Sequence, residues 1–251
     1  MFREFFVLLL LAHLLGDFYV QTEPLAIKKQ NQFRWVLLHS LLYWAATLLA
    51  SLPAMSPTVF LFGGLSALAH LLVDALKYAF THTKELTATG KRNIFFADQA
   101  LHFLLIAVIA FLFAAQGHTL LPLAIVIQIG EITGLQPLTL LLWATALLAL
   151  HKPANLFISH ALITYKPDEN KVEETPSIQD DRNAGRFIGT LERAIIIVLL
   201  SLQQYSAIGL VLTAKSVARY DRITKDSTFA EYYLLGTLLS TLLVIVISRI
   251  I

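Results

Sequence analysis

The chain has 251 residues, of which 57% are hydrophobic and only 14% charged, and its mean hydropathy is +0.68. An ordinary water-soluble domain does not keep this balance, so the sequence predicts an integral membrane protein. The absence of cysteine excludes disulfides and thiolate ligands, and a net charge of +2 is too small to indicate a nucleic-acid partner.

Apolar runs follow one another along the chain and are long enough to cross a hydrocarbon core. They lie near residues 4–21, 35–52, 57–80, 95–115, 194–214 and 230–250. A more broken region at 119–163 predicts shorter helices. Because the runs lack the alternation of barrel strands, the predicted fold is all-α, a polytopic membrane bundle of about seven helices with a duplicated N-terminal hairpin.

Four segments are predicted along the chain. Residues 1–115 form a duplicated two-hairpin unit, 116–163 short or re-entrant helices, 164–186 a polar cytoplasmic loop, and 187–251 the C-terminal transmembrane helices. The connections after the first and third runs are basic and are therefore expected in the cytoplasm, through Lys28, Lys29, Arg34, Lys84, Lys91 and Arg92. The polar stretch "SLQQYSAIG" at 201–209 is able to bend the run around it, so the topology of the last third stays open.

One phrase occurs twice in these apolar runs, as "AHLLGDFYVQ" at 12–21 and "AHLLVDALKY" at 69–78. Each copy places a histidine and an aspartate four residues apart, on one face of a helix, and "DQALH" at 98–102 repeats the spacing in reverse. Given the hairpin connections, these groups and one further histidine fall at similar depth in one leaflet. The predicted cluster consists of His13, Asp17, His39, His70, Asp74, Asp98 and His102.

Carboxylates in an apolar bundle are costly, so the three aspartates are expected to face each other or a counter-ion. Imidazole and carboxylate without thiolate suit a divalent metal, with zinc or manganese favoured over iron or nickel, and seven candidate ligands could hold one or two ions. Two other interpretations stay open: a single ion with an outer shell of aspartates, and a polar network that only joins the helices. Lys77, one turn after Asp74, also offers that carboxylate a local partner.

The sequence resembles a bacterial integral-membrane family known as domain of unknown function 3307. The resemblance rests on "HLLGDFYVQ" (13–21), "HSLLYW" (39–44), "HLLVDALK" (70–77), "DQALH" (98–102), "KPAN" (152–155), "AIGLVLTAKSVARY" (207–220) and "FAEYYLLGTLLS" (229–240). It implies a multi-pass protein of the bacterial inner membrane and brings no activity with it.

A second, shorter resemblance is to membrane-bound metal-dependent hydrolases related to zinc-dependent phospholipases. It rests only on the H-x-x-x-D pattern at 13–17 and 70–74. It implies a helical site in which histidines and aspartates surround a metal ion.

The leading functional hypothesis is a membrane-embedded, metal-dependent hydrolase that cleaves a phosphoester or similar bond of a lipid-like substrate at the cytoplasmic face. The metal would activate water, Asp17, Asp74 or Asp98 would act as general base, and Lys77 and Lys215 would hold an anionic headgroup. One alternative is a transporter of divalent cations or protons, since intramembrane His and Asp often mark ion pathways. Another is a non-catalytic scaffold or sensor whose 164–186 loop binds a soluble cytoplasmic partner.

Overall fold

A computed structural model of the chain describes residues 1–166 and 177–251, without the side chains of 177–184. The described residues form helices and no strands, which confirms the predicted all-α bundle. Residues 167–176, in the middle of the predicted loop, lie outside the described part. A helix already begins at Ser177, before the predicted boundary at 187.

The described residues divide into two compact units, Met1–Leu148 and Ala149–Ile251. The helices that lie in the first unit or begin there are α1 (Phe2–Leu14), α2 (Glu23–Asn31), α3 (Phe33–Ser51), α4 (Pro57–Thr81), α5 (Ala88–Ala115), α6 (Ala124–Thr133) and α7 (Pro137–Leu150). A π-helical segment, Leu15–Val20, continues α1. The chain then bends by 90° into α2.

Local sequence signals set where two of the long helices begin. Ser56 precedes Pro57 and its hydroxyl accepts a hydrogen bond from the Val59 amide at 3.2 Å, which caps α4. Thr87 caps α5 in the same way through the Gly90 amide at 3.1 Å. The first cap begins the helix that carries the second copy of the repeat, and the second begins the helix that carries "DQALH".

Four helices of the first unit pack in a ring, because α1 and α4 each pack against both α3 and α5. The two copies of the repeated phrase therefore lie on diagonally placed helices. One end of the ring is filled by a buried apolar core that includes Phe5, Phe62 and Phe113, with the Phe5 and Phe113 ring centroids 3.9 Å apart. The polar residues of the repeat occupy the other end.

The helices that lie wholly in the second unit are α8 (Lys152–Ala161), α9 (Ser177–Ser201), α10 (Tyr205–Val217), α11 (Tyr220–Lys225) and α12 (Ser227–Ser248). Here α9 packs against α8, α10 and α12. The predicted apolar run at 194–214 is not one helix, because the chain breaks after Ser201 and Gln203 adopts a left-handed φ of 57°. The break falls in the polar stretch "SLQQYSAIG", whose two glutamine side chains are costly to place in an apolar environment.

Five helices among the described residues are long and apolar enough to cross a membrane, and six if the bent pair of Phe2–Val20 and Glu23–Asn31 counts as one span. In this count α7 and α8 together form one span, Pro137–Ala161. The predicted number was about seven, and the difference arises in part from the broken run at 194–214. These helices are typical of a multi-pass membrane protein.

Candidate functional site

All seven predicted histidines and aspartates meet at the polar end of the four-helix ring. His13 comes from α1, Asp17 from the π-helical segment, and His39 from α3. The remaining four come in pairs from α4 and α5. Their side chains are at most 8% exposed, so these residues form one buried site. We call this site the His/Asp cluster; it consists of His13, Asp17, His39, His70, Asp74, Asp98 and His102.

Asp17 lies at the centre of the cluster. Its Oδ1 accepts hydrogen bonds from His70 Nε2 at 2.8 Å and from His39 Nε2 at 3.1 Å. Its Oδ2 lies 3.9 Å from His13 Nε2. Because both imidazoles donate through Nε2, their Nδ1 atoms carry the lone pair when the rings are neutral. One carboxylate thus fixes the tautomers of two rings.

Each of the other two carboxylates is paired with a lysine. Lys29 Nζ, from the bent-back helix α2, lies 2.9 and 3.1 Å from the two carboxylate oxygens of Asp74. Lys77 Nζ lies 2.8 Å from Asp98 Oδ2. The local pair predicted between Lys77 and Asp74 is therefore wrong, since the long side chain of Lys77 reaches across to α5. Both ammonium groups reduce the cost of burying a carboxylate.

His102 and Asp98 leave two acceptors without partners. The main-chain oxygen of Asp98 accepts a hydrogen bond from His102 Nδ1 at 2.9 Å, which leaves the lone pair on Nε2. His102 Nε2 and Asp98 Oδ1 are buried and have no hydrogen-bond partner among the described residues, as is also true of Nδ1 on His13, His39 and His70. Buried polar atoms are rarely left unsatisfied, so each orphaned acceptor indicates a group that belongs beside it.

The ligand atoms lie close enough to share an ion. Three sets of residues each offer atoms within 4.8 Å of one another: His13, Asp17 and His70; His39, His70 and Asp74; and Asp74, Asp98 and His102. The first and third sets have no residue in common. The cluster therefore has enough ligands for two ions that share none, and its nitrogen and oxygen donors suit zinc or manganese.

Three further residues hold the cluster in shape. Gln99 Nε2 donates to Asp98 Oδ2 at 3.3 Å, and its Oε1 lies 3.3 Å from His13 Nε2, so one amide joins α1 to α5. The Tyr43 ring stacks on the His70 ring with centroids 3.7 Å apart. Gly16 leaves room for Tyr43, since a Cβ on Gly16 would lie 2.5 Å from Tyr43 Cδ2.

Lys215, predicted as a headgroup ligand, belongs to the second unit and has another partner there. Its Nζ lies 2.6 Å from Glu192 Oε2, and Glu192 is 5% exposed. Next to Glu192, the guanidinium of Arg193 donates to the main-chain oxygen of Leu150 at 2.7 Å and to Asn155 Oδ1 at 2.7 Å. Lys215 is thus ion-paired within the second unit, and headgroup binding by it stays a prediction.

Sequence reasoning missed the part played by Lys29. In the sequence it stands next to Lys28 in a basic connection, and its charge was used only to predict that this connection is cytoplasmic. Only the 90° bend after Val20 and the return of α2 bring its ammonium to Asp74. The contact between Tyr43 and Gly16 was not predictable from the sequence either, because the two residues lie on different helices.

Fold and site together define a helical bundle with several apolar helices of membrane-spanning length and a buried cluster of histidines and aspartates. Residues 5–129 match the family described as "Protein of unknown function (DUF3307)", and the chain belongs to this family through the half that holds the cluster. The similar stretches beyond residue 129 lie outside the matched range. Comparison with curated proteins and with solved structures gives no match.

Proposed function

We propose that the His/Asp cluster binds one or two divalent cations, and that the protein uses them to hydrolyse a phosphoester or similar bond of a lipid-like substrate. The observation that carries the proposal is the pair of orphaned, buried acceptors His102 Nε2 and Asp98 Oδ1, which face no donor. Divalent cations would satisfy buried lone pairs of this kind, whereas a packing network would leave them unpaired. Zinc or manganese fits this donor set.

The two lysines support an anionic substrate. Lys29 and Lys77 now neutralise Asp74 and Asp98, the carboxylates of the third ligand set. A cation bound to those carboxylates would release the ammonium groups, leaving positive charge beside the metal. Such an arrangement favours a phosphate group, whose developing charge both metal and ammonium stabilise.

The proposed hydrolysis uses the metal and the aspartates of the cluster. A divalent cation supplies Lewis acidity and activates water as a nucleophile. An aspartate that does not bind the cation accepts a proton as general base, and Asp17, Asp74 and Asp98 are the candidates. The basic connections next to the cluster, with Lys28 and Lys84, support a site at the cytoplasmic side of the bacterial inner membrane.

Metal content tests the proposal directly. The detergent-purified chain, washed with a mild chelator, is expected to retain one or two equivalents of zinc or manganese by elemental analysis. His70→Ala and His102→Ala are expected to lose that metal. His82→Ala is the matched control, because His82 is exposed at the end of α4 and lies outside the three ligand sets. A folded wild-type protein without stoichiometric metal contradicts the proposal.

Transport of a cation or proton is the second candidate, favoured by the buried Lys29–Asp74 and Lys77–Asp98 pairs. Against it stands the aromatic core of Phe5, Phe62 and Phe113, which fills the ring beyond the cluster. Cation flux into vesicles loaded with the protein would favour transport over hydrolysis. A scaffold remains the interpretation if neither metal nor flux is found.

A further inference from the structure

A crevice opens between α4 and α5 beside the cluster, with a cavity volume of about 290 Å³. Its wall is mainly apolar and is formed by Val73, Leu76, Phe80, Ile94, Ala97 and Leu101. Leu76, Phe80 and Leu101 are 52%, 62% and 42% exposed, so the crevice is open along the outer surface of the bundle. Its volume lies at the lower end of the range for ligand sites, which suits one slender chain.

Charged groups line the same crevice. Lys77 and Asp98 both contribute to its wall, with the ammonium 2.8 Å from the carboxylate. The Lys77 side chain is 31% exposed and Asp98 only 6%, so the lysine lies between the open crevice and the buried cluster. Lys84, which is exposed, adds a second positive charge to the lining. Among the described residues that line the crevice, Asp98 is the one carboxylate, and it is already paired with Lys77.

We infer that this crevice binds a single-chain anionic amphiphile, with its acyl chain along the apolar wall and its phosphate on Lys77 and Lys84. The apolar wall matches the chain, and the two ammonium groups match the phosphate. A phosphate on Lys77 draws the ammonium away from Asp98 and frees that carboxylate, which belongs to the Asp74, Asp98 and His102 ligand set. What happens to the bound phosphate rests on the proposed function, whereas the binding itself does not.

The choice of a phosphate amphiphile over a neutral or cationic one follows from charge. A cationic headgroup would meet Lys77 and Lys84 with like charge, and a neutral headgroup would leave the Lys77–Asp98 pair as it is. A second copy of the chain would have to insert a narrow apolar segment between two helices. The crevice volume fits a single chain better than a helix face.

Native mass spectrometry of the full chain in a neutral maltoside detergent tests the inference, with dodecyl phosphate as the probe. Bound metal is first stripped with a strong chelator, so that binding is measured without metal. One dodecyl phosphate per chain is expected, with affinity reduced about tenfold in Lys77→Gln and in Ala97→Trp, because each removes a charged contact or fills the crevice.

Matched controls separate the crevice from the rest of the surface. Lys91→Gln and Ala100→Trp change exposed residues of α5 outside the crevice lining and are expected to bind as wild type. Ala97 is itself exposed, so the tryptophan there does not overpack the core. Ala97→Trp therefore keeps the test valid even if Lys77→Gln fails to fold.

The outcomes separate this inference from the proposed function. Equal binding of dodecyl phosphate to Ala97→Trp and wild type would overturn the crevice, as would equal binding of inorganic phosphate or dodecyltrimethylammonium to the wild type. Elemental analysis of the same preparations after the mild wash, before the metal is stripped, reports the metal separately. If the protein binds dodecyl phosphate in the crevice but contains no metal, the inference stands and the hydrolase is rejected. If it contains metal but does not bind dodecyl phosphate in the crevice, the inference is rejected and the proposed function stands.

Discussion

At the scale of single residues, the cluster depends on contacts between side chains that are distant in sequence. The tautomers of His39 and His70 follow from one oxygen of Asp17, and that of His102 from a main-chain oxygen of Asp98. The orientation of His70 also depends on the Tyr43 ring stacked on it. The identities of the candidate ligands could be predicted from sequence, but their donor and acceptor roles could not, because each role is set by a partner on another helix or by a main-chain atom.

Gly16→Ala tests how closely the ligand geometry depends on Tyr43. The added Cβ would lie 2.5 Å from Tyr43 Cδ2, so the ring must shift and with it the stacked His70. We expect a loss of about 1–3 kcal/mol of stability, measured by thermal unfolding in detergent, together with reduced metal content. Gly64→Ala is the control, because no atom lies within 4 Å of its added Cβ. Equal stability and metal content in the two variants would contradict this dependence.

Arg193 has a comparable part in the second unit, where its buried side chain joins several helices. It is 2% exposed, and its guanidinium bonds to Leu150, Asn155, Thr190 and Ser240. Sequence analysis did not predict this network, because the partners come from four helices.

Arg193→Met is expected to lower stability by about 3 kcal/mol, since at least two buried acceptors lose a charged donor. Arg193→Lys should restore little of this, because an ammonium cannot reproduce the planar fork. Arg186→Met, an exposed change earlier in the same helix, should leave the unfolding midpoint nearly unchanged. Thermal unfolding of the three variants measures the effect, and a small shift for Arg193→Met would show that the network is replaceable.

At the scale of elements, the first helix is shaped by two departures from regular α-helix. Leu15–Val20 is π-helical and carries Asp17, and the chain then bends by 90° into α2. The four-residue spacing of His13 and Asp17 predicted a shared face, which the structure retains with a 3.9 Å separation. The π-helical turn and the return of α2 were not predictable from local pattern, since neither leaves a periodic signal in the apolar run.

Lys29→Met tests the role of α2. Removal of the ammonium frees Asp74 from a competing cation, so we expect the affinity for zinc or manganese to rise about tenfold, measured by competition with a chelating indicator. Lys28→Met is the neighbouring control, because Lys28 lies over the Trp35 ring at 4.6 Å and does not contact the cluster. A fall in affinity would instead mean that Lys29 positions Asp74 for the metal.

At the scale of the molecule, the four-helix ring of the first unit has an apolar end and a polar end along the helix axes. Phe5 and Phe113 stack in the first, and the His/Asp cluster occupies the second. The repeat of the H-x-x-x-D pattern in two apolar runs predicted a common depth. The buried apolar core fills the ring on one side of the cluster, which agrees with the proposed site at one membrane face.

The absence of cysteine allows a direct test of orientation, because single cysteines can be added without background. Lys84→Cys lies in the connection before α5, and Gln116→Cys follows the end of α5, both at exposed positions. In intact bacterial cells an impermeant thiol reagent is expected to label only Gln116→Cys, and in inverted vesicles only Lys84→Cys. Labelling of both from the same side would show that α5 does not cross the membrane.

The sequence by itself determined the helical class, the positions of most long apolar helices and the set of histidines and aspartates, because hydropathy and the four-residue spacing are local properties of a helix. Only the tertiary structure decided which charges neutralise which. Lys77 lies one turn from Asp74 but bonds to Asp98, and Lys29 comes from a separate helix to replace it. Ion pairs in a buried site depend on how whole helices pack, because a buried carboxylate pairs with a cation that is close in space even when it is distant in sequence.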